Sequence, residues 1–371
     1  MSKTLQDYAT LINDTIQSNE INHYITTDNM CQNLGGIDTF KNINIPQGKV
    51  RSFQKDDILL SNIRLYFRKV YRAKQKGGCS SDVLVFRAKH IDSATLFAIL
   101  SSQIFTDYAC SGSQGSKMPR GNKTHMMDFK IPTINFTIAK IFNSIQNKIE
   151  NNHKINELLH KILELLYEQY FVRFDFLDEN NKPYQTSGGK MKFSKELNRL
   201  IPNDFEVKTL GELTQLKVGN KNANHSSNQG KYPFFTCSNN PLKCKTYQFE
   251  GKHIIISGNG NFYVTHYDGK FDAYQRTYVV NPNNPNHYVL IYLFVKSYTN
   301  YLKLQSRGSI IKFITKSDIE NIKIVLPNLK TYTKWNNVLK MIENNNQSTQ
   351  TLTALRDFLL PLLLKQQVKP E

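Results

Sequence analysis

From residue 134 to 171, apolar side chains recur mostly every three or four positions with no glycine or proline among them. The stripe is Ile134, Ile138, Ile141, Ile145, Ile149, Ile155, Leu159, Ile162 and Leu166. That spacing predicts one long amphipathic helix. A second stripe of Trp335, Leu339, Ile342, Leu352, Leu355, Leu359 and Leu362 predicts another near the C-terminus, with Pro361 expected to disturb its final turn. Alternating spacings of three and four form a coiled-coil seam, and both partners lie on one chain, so an intramolecular antiparallel helix pair is expected. Asn151-Asn152 and Asn344-Asn345-Asn346 interrupt the stripes midway. Polar residues there either fix register at some cost in stability or mark a solvated kink.

Outside these stripes the pattern changes. Residues 1 to about 132 read as short β-rich segments with turns, Asp57-Ile58-Leu59-Leu60-Ser61 and Asp82-Val83-Leu84-Val85-Phe86 being strand-like. Matching strands lie at Ile254-Ile255-Ile256-Ser257 and Thr277-Tyr278-Val279-Val280. The first pair brackets a basic span with Arg64, Arg68, Lys69, Arg72, Lys74 and Lys76, the second a turn-rich Gly258-Asn259-Gly260-Asn261-Phe262-Tyr263. Residues 172–205 are polar but bracketed by Phe171, Phe174, Phe176 and Phe205, which predicts a packed crossover and not a free tether.

The matching strands belong to a longer repeat. At a constant shift of 193, Ser113, Gly115 and Ser116 fall on Ser306, Gly308 and Ser309, and Lys130-Ile131 falls on Lys323-Ile324. Ile149-Glu150-Asn151-Asn152 falls on Ile342-Glu343-Asn344-Asn345. Lys3-Thr4-Leu5 reappears as Lys208-Thr209-Leu210 at a larger shift, so the intervening part varies in length. A repeat of this size is a whole domain plus connector, since solenoid units run to about 20–50 residues. The expected fold is α+β, two α/β domains separated by two long helices with a pseudo-two-fold internal repeat. Its boundaries are 1–132, a helix 133–171, a crossover 172–205, a second domain 206–327, and a helix with C-terminal tail 328–371.

The 371-residue chain is long enough for two such domains, and its formal net charge of +18 points to nucleic acid or an anionic surface. Cys31, Cys79, Cys110, Cys237 and Cys244 are scattered and odd in number, so neither a zinc site nor a disulfide framework is expected from spacing. No run approaches the roughly 18 apolar residues of a membrane span, and no apolar signal core opens the chain, so a cytoplasmic, reduced protein is expected. Catalytic signatures are missing. The chain has no N-P-P-Y or D-P-P-Y tetrapeptide, no G-x-x-x-x-G-K-[ST] loop and no H-E-x-x-H, and Gly258-Asn259-Gly260 lacks a third glycine and a following helix pattern.

In order along the chain, the motifs resemble those of a specificity (S) subunit of a type I restriction-modification enzyme. They are Ile149-Glu150-Asn151-Asn152, Asn156-Glu157-Leu158-Leu159, Phe174-Asp175-Phe176, Lys182-Pro183-Tyr184, Ser187-Gly188-Gly189-Lys190-Met191, Ile201-Pro202 and Lys208-Thr209-Leu210-Gly211. Gly230-Lys231-Tyr232-Pro233-Phe234-Phe235 and Leu359-Leu360-Pro361-Leu362-Leu363 complete the series. The first domain has no clear counterpart of the segment 230–235. The resemblance implies two target-recognition domains, each reading one half of a bipartite DNA target, with helices that set the unread spacer and dock two methyltransferase subunits. Restriction subunits join through the complex. It further implies that the chain is non-catalytic and binds no cofactor, while its partners use S-adenosylmethionine, ATP and Mg²⁺. A helix of about 36 residues spans about 54 Å, against about 34 Å for one turn of B-DNA, so the helix would act as a ruler.

Residue type selects candidate DNA contacts, because Arg and Lys pair with guanine edges or phosphates and Asn with adenine. In the first domain these are Arg64, Arg68, Arg72, Lys117 and Arg120; in the second, Asn259, Asn261, Tyr263, Arg276, Arg307 and Lys312. Each alone also reads as an ordinary solvated or structural side chain. Three rivals stay open: a specificity subunit whose partner fuses methyltransferase and nuclease, a basic RNA-binding protein, and a standalone nucleic-acid enzyme.

Overall fold

A computed structural model of the chain describes residues 3–38, 43–131, 134–227, 229–238, 240–327 and 333–363. It divides into two units, Met1–Ile155 with Asn344–Glu371, and Asn156–Glu343. Both mix helix and strand. The expected C-terminal tail, 364–371, and residues 328–332 lie outside the described residues.

In the first unit the predicted strands centre an antiparallel sheet ordered Ala9–Ile12, Val83–Ala88, Ile58–Ser61, Val70–Arg72. Ile58 lies opposite Phe86 and Leu60 opposite Leu84. These four face one core, while Leu59, Val83 and Val85 face another. Successive side chains point to opposite faces of a strand, so burial on both sides produces an unbroken apolar run. A second sheet, Thr15–Gln17, Lys49–Phe53, Gly77–Cys79, Tyr24–Ile25, supplies Phe53, Cys79 and Ile25 to that other core.

Two helices, Ser93–Leu100 and Gln103–Ser111, stand where only short strands and turns were expected. Residues 95–100 are all buried, so no polar face marks a helical period. The caps are the legible part: the Asp92 carboxylate accepts the Thr95 N–H at 2.9 Å and the Ser102 hydroxyl the Phe105 N–H at 3.1 Å.

The second unit is built on a six-stranded sheet, Thr214–Val218, Thr277–Pro282, Phe249–Ser257, Val264–Ala273, Tyr232–Phe235, Leu242–Cys244. Ile254 lies opposite Val280 and Ile256 opposite Tyr278. The helix Tyr288–Gln305 was also missed, because residues 288–293 are buried on every side.

Thr4 in the first unit and Thr209 in the second make the same local structure. Each donates its N–H at 2.7 Å to a carboxylate three residues on, Asp7 or Glu212, and hydrogen bonds from the threonine backbone and hydroxyl lower both pKa values. The next residue, Leu5 or Leu210, is buried and donates its N–H to Phe129 at 2.8 Å or Ile322 at 2.9 Å.

The first long helix runs Phe136–Tyr167 and continues as a wider π-helical turn, Glu168–Val172. It starts later than residue 133 because Asn135 caps it, accepting the Ile138 N–H at 3.1 Å. The second runs Thr333–Leu363. Pro361 does not disturb it: the helix passes through this residue, and the Leu363 carbonyl accepts the Asn135 N–H at 3.1 Å. A proline near a helix end removes one ladder bond from a stretch that has few to lose. Both helices run unbroken through their asparagines.

Within the first unit, Leu360 and Leu363 share a core with Ile138 and Phe142, and buried Asn152 donates to the Thr349 hydroxyl at 3.1 Å. The Arg356 guanidinium is buried there too, donating at 3.2 Å to the Asn33 carbonyl and at 3.2 Å to Gln146 Oε1. Within the second unit, Leu163 and Tyr167 join Trp335, Leu339 and Ile342, and Asn156 donates to the Ile342 carbonyl at 3.3 Å.

The crossover is packed, as its aromatic brackets predict. Phe171, Phe174 and Phe205 are buried, Phe176 stacks on Phe205 at 5.4 Å and on Tyr184 at 4.8 Å, and Arg199 lies over Phe174. Asp175 accepts the Thr186 N–H and hydroxyl at 2.8 and 2.7 Å. Gly189 lies under the Tyr184 ring, where a Cβ would come within 2.4 Å. Among the described residues no helix is long and apolar enough to cross a membrane, and all five cysteines are free thiols.

His266 predicts a pH dependence for the second unit. It packs edge-on to Tyr292 at 4.9 Å, with Nδ1 3.7 Å from Glu343. Burial, reinforced by His160, Lys252 and Lys296, lowers its pKa to about 3. An unfolded histidine titrates near 6.5, so only the unfolded chain takes up this proton as pH falls from there towards about 3. Stability is therefore full above about 6.5 and declines on acidification, by up to about 1.4 kcal/mol per pH unit for this group. Urea melts at pH 7 and pH 5 should show the decline, and His266→Leu should lessen it.

Candidate nucleic-acid interface

In the first unit the chain leaves the helix Gln103–Ser111 into an exposed loop closed on itself. The Gln114 N–H donates to the Arg120 carbonyl at 2.9 Å, and the Arg120 N–H returns to Gln114 at 2.8 Å. Gly115 supplies the turn, with φ +97°. The Arg64 N–H donates to the Pro119 carbonyl at 2.9 Å, holding the loop against the end of the strand Ile58–Ser61. Arg64, itself left-handed at φ 50°, reaches the Lys117 carbonyl at 3.4 Å. Arg120 pairs with Asp82 at 3.0 Å yet remains 62% exposed. Lys117 and Met118 form the exposed tip.

The second unit repeats this hydrogen-bond frame. The Arg307 N–H donates to Phe313 at 3.0 Å, the Phe313 N–H returns at 2.8 Å, and the Gly260 N–H donates to the Lys312 carbonyl at 2.8 Å. Gly308 has φ +98°, and a Cβ there would stand 2.3 Å from the Ile311 carbonyl oxygen. Gly258 donates its N–H to Arg276 at 2.7 Å, so close that a Cβ would lie 2.6 Å from the same oxygen. Asn261 donates to the Tyr263 hydroxyl at 3.1 Å. Arg307 pairs with Asp318 at 3.0 Å. Burial alone would raise the Asp318 pKa, but hydrogen bonds from Thr315 and the charge of Arg307 outweigh it and hold it low.

All six second-unit candidates, Asn259, Asn261, Tyr263, Arg276, Arg307 and Lys312, therefore belong to backbone-linked segments around one loop. In the first unit only Arg64, Lys117 and Arg120 gather so. Arg68 donates to the Ser101 carbonyl at 2.9 Å, and Arg72 to Asn143 at 3.0 Å with Asp56 at 3.5 Å. Both are half-buried and their guanidinium groups are engaged by the fold; burial lowers the Arg68 pKa, with Asp357 opposing. Charge counting along the sequence does not separate these two from surface arginines. Residue type also passes over the apolar tip residues Met118, Ile310 and Ile311. Ile310 is 95% and Ile311 62% exposed, at the positions where the first loop carries Lys117 and Met118. The repeat itself holds that signal: with Gly115 set on Gly308, a lysine and a methionine meet two isoleucines.

Residues 202–355 match the family described as Type I restriction modification DNA specificity domain. The chain is also 32% identical over 184 residues to the Type I restriction enzyme EcoDI specificity subunit of Escherichia coli. Over residues 202–355 the chain is similar to the type I restriction-modification specificity family. The EcoDI match spans 46% of this chain and 40% of that protein's length. A longer match, 24% identical over 308 residues, is to the Type I restriction enzyme MjaIX specificity subunit of Methanocaldococcus jannaschii, covering 74% of this chain and 69% of that one. The fold is that of the type I restriction-modification system S subunit from M. genitalium, at a TM-score of 0.61 and 16% identity over 99% of this chain and 96% of that one.

Proposed function

We propose that this chain is the DNA-specificity subunit of a type I restriction-modification complex, built as two copies of one recognition module on a pseudo-two-fold repeat. The observation that carries the reading is the pair of closed loops, 114–120 and 307–313, which share a backbone frame and display different side chains. A fixed frame with variable tips is what two readers of different half-sites need. Lysine and arginine supply phosphate contacts, and the exposed isoleucines suit thymine methyl groups.

In this reading the long helices pair as an antiparallel coiled coil, set the unread spacer and dock two methyltransferase subunits, through which restriction subunits join. Leu158, Ile162 and Leu165, spaced four and three apart on one helix face and 46–55% exposed, support an apolar docking face. The chain itself is non-catalytic and holds no S-adenosylmethionine, ATP or Mg²⁺, which serve its partners.

Gel-shift titration of the purified chain with its methyltransferase tests this. A duplex carrying the split target should bind, with affinity falling steeply with salt, and unlabelled RNA should compete poorly. Equal competition by RNA would overturn the reading.

A further inference from the structure

We infer that the second unit binds a zinc ion between His225, Cys244 and Asp272. This site does not depend on the DNA-reading role. Its ligands come from three separate elements, which is why cysteine spacing alone predicts no metal. His225 closes the turn Ala223–His225, Cys244 ends the strand Leu242–Cys244, and Asp272 lies in Val264–Ala273 opposite Phe234. One donor atom from each lies within 4.8 Å of the other two. Nε2 of His225 is 2.9 Å from Asp272 Oδ2, and Cys244 Sγ is 4.0 Å from the same oxygen. Metal–ligand bonds of about 2.0–2.3 Å set tetrahedral ligand atoms roughly 3–4 Å apart, so only small movements separate this arrangement from a coordinated one.

Two further observations point to a ligand. Asp272 is wholly buried, and its Oδ1 accepts no hydrogen bond. A buried carboxylate with one unpartnered oxygen has its charge poorly compensated, and a cation held by Oδ2 between His225 and Cys244 would offset it. Cys244 is buried as well, while the His225 side chain keeps 24% exposure and leaves a route from solvent. The surroundings orient the donors: the Thr246 hydroxyl lies 2.7 Å from Oδ2 and 3.1 Å from Nε2, and the Phe234 ring stands edge-on to the imidazole at 5.3 Å.

A set of imidazole, thiolate and carboxylate selects zinc over magnesium or calcium, which take oxygen donors. Binding exchanges the Cys244 thiol proton, released to solvent, for a Zn–S bond. His225 ligates as neutral imidazole through Nε2 with its proton on Nδ1. Thiolate and carboxylate then balance the two positive charges, with water in the fourth position. The ion would tie the edge strand Leu242–Cys244 to Val264–Ala273 and to the 223–225 turn.

The test uses the full chain, loaded with zinc sulfate, desalted and assayed by elemental mass spectrometry. About one zinc per chain is expected, and cobalt in its place should give a thiolate-to-cobalt charge-transfer band. Cys244→Ser should abolish that band and weaken zinc binding at least about tenfold, while Cys237→Ser changes neither. Because Asp272 is in the core, His225→Gln at the exposed side provides the second variant: it should keep the circular dichroism spectrum and lose the zinc. Zinc content far below one per chain in the folded protein would overturn the site, as would unchanged content in both Cys244→Ser and His225→Gln; a plain His225–Asp272 ion pair would then remain.

Discussion

Replacing Arg356 with alanine should remove about 3–5 kcal/mol of stability from the first unit, enough to unfold it under mild conditions. The side chain is 2% exposed. Its guanidinium satisfies the Asn33 carbonyl and Gln146 Oε1, while Gln146 in turn donates to the Leu34 carbonyl at 2.6 Å and to Glu150 at 3.2 Å. Truncation leaves the buried Gln146 Oε1 and the part-buried Asn33 carbonyl without this donor and a cavity where the apolar stem packed. The ion pair with Asp357 adds little, because that carboxylate is 47% exposed. Arg356→Met should cost less than alanine, since it refills the volume but not the hydrogen bonds. Urea denaturation of the three proteins measures this, and a loss below about 1 kcal/mol for alanine would refute the role assigned to the network.

Changing Ile310 and Ile311 together to serine should relax base choice at one half-site and leave the other half-site intact. Each good base contact is worth about 1–3 kcal/mol, so losing two lowers discrimination about 30-fold or more. Both side chains are largely in solvent, so the fold should be unchanged. Lys117→Ala is the contrasting case. Loss of a phosphate contact should weaken binding to all sequences alike and reduce the salt slope by about one. Gel shifts against targets mutated in either half separate the two outcomes; an Ile310/Ile311 effect spread over both halves would count against independent modules.

What the sequence made legible was periodicity and identity. The Ile134 to Leu166 stripe marked the first long helix, and Thr4 and Thr209 marked matching starts, because both signals are local. The helices Ser93–Leu100 and Tyr288–Gln305 escaped because burial on every side erases the amphipathic period. Pro361 misled because proline's cost depends on how near the helix end it falls, and the Leu363 carbonyl finds a partner in Asn135.

The candidate site was legible in part. Gly258 and Gly260 mark one turn and the match of Gly115 to Gly308 marks equivalent loops, while the gathering of the second-unit residues around them comes from the backbone pairing. Arg68 and Arg72 show the limit, since whether an arginine faces solvent or a carbonyl is decided by tertiary neighbours such as Ser101 and Asn143. The His225, Cys244 and Asp272 cluster was invisible for the same reason. The parallel pairing of Tyr232–Phe235 with Val264–Ala273 and the antiparallel pairing of Cys244 opposite Tyr232 bring those residues together, and no local spacing encodes that.

The most direct test is base-resolution methylation mapping in cells carrying this chain with a cognate methyltransferase, compared with cells lacking only this chain and with cells carrying Ile310→Ser/Ile311→Ser. The specificity reading predicts a split motif with a fixed unread gap that vanishes without the chain and blurs in one half with the double substitution. Methylation that is unchanged in both comparisons would contradict it.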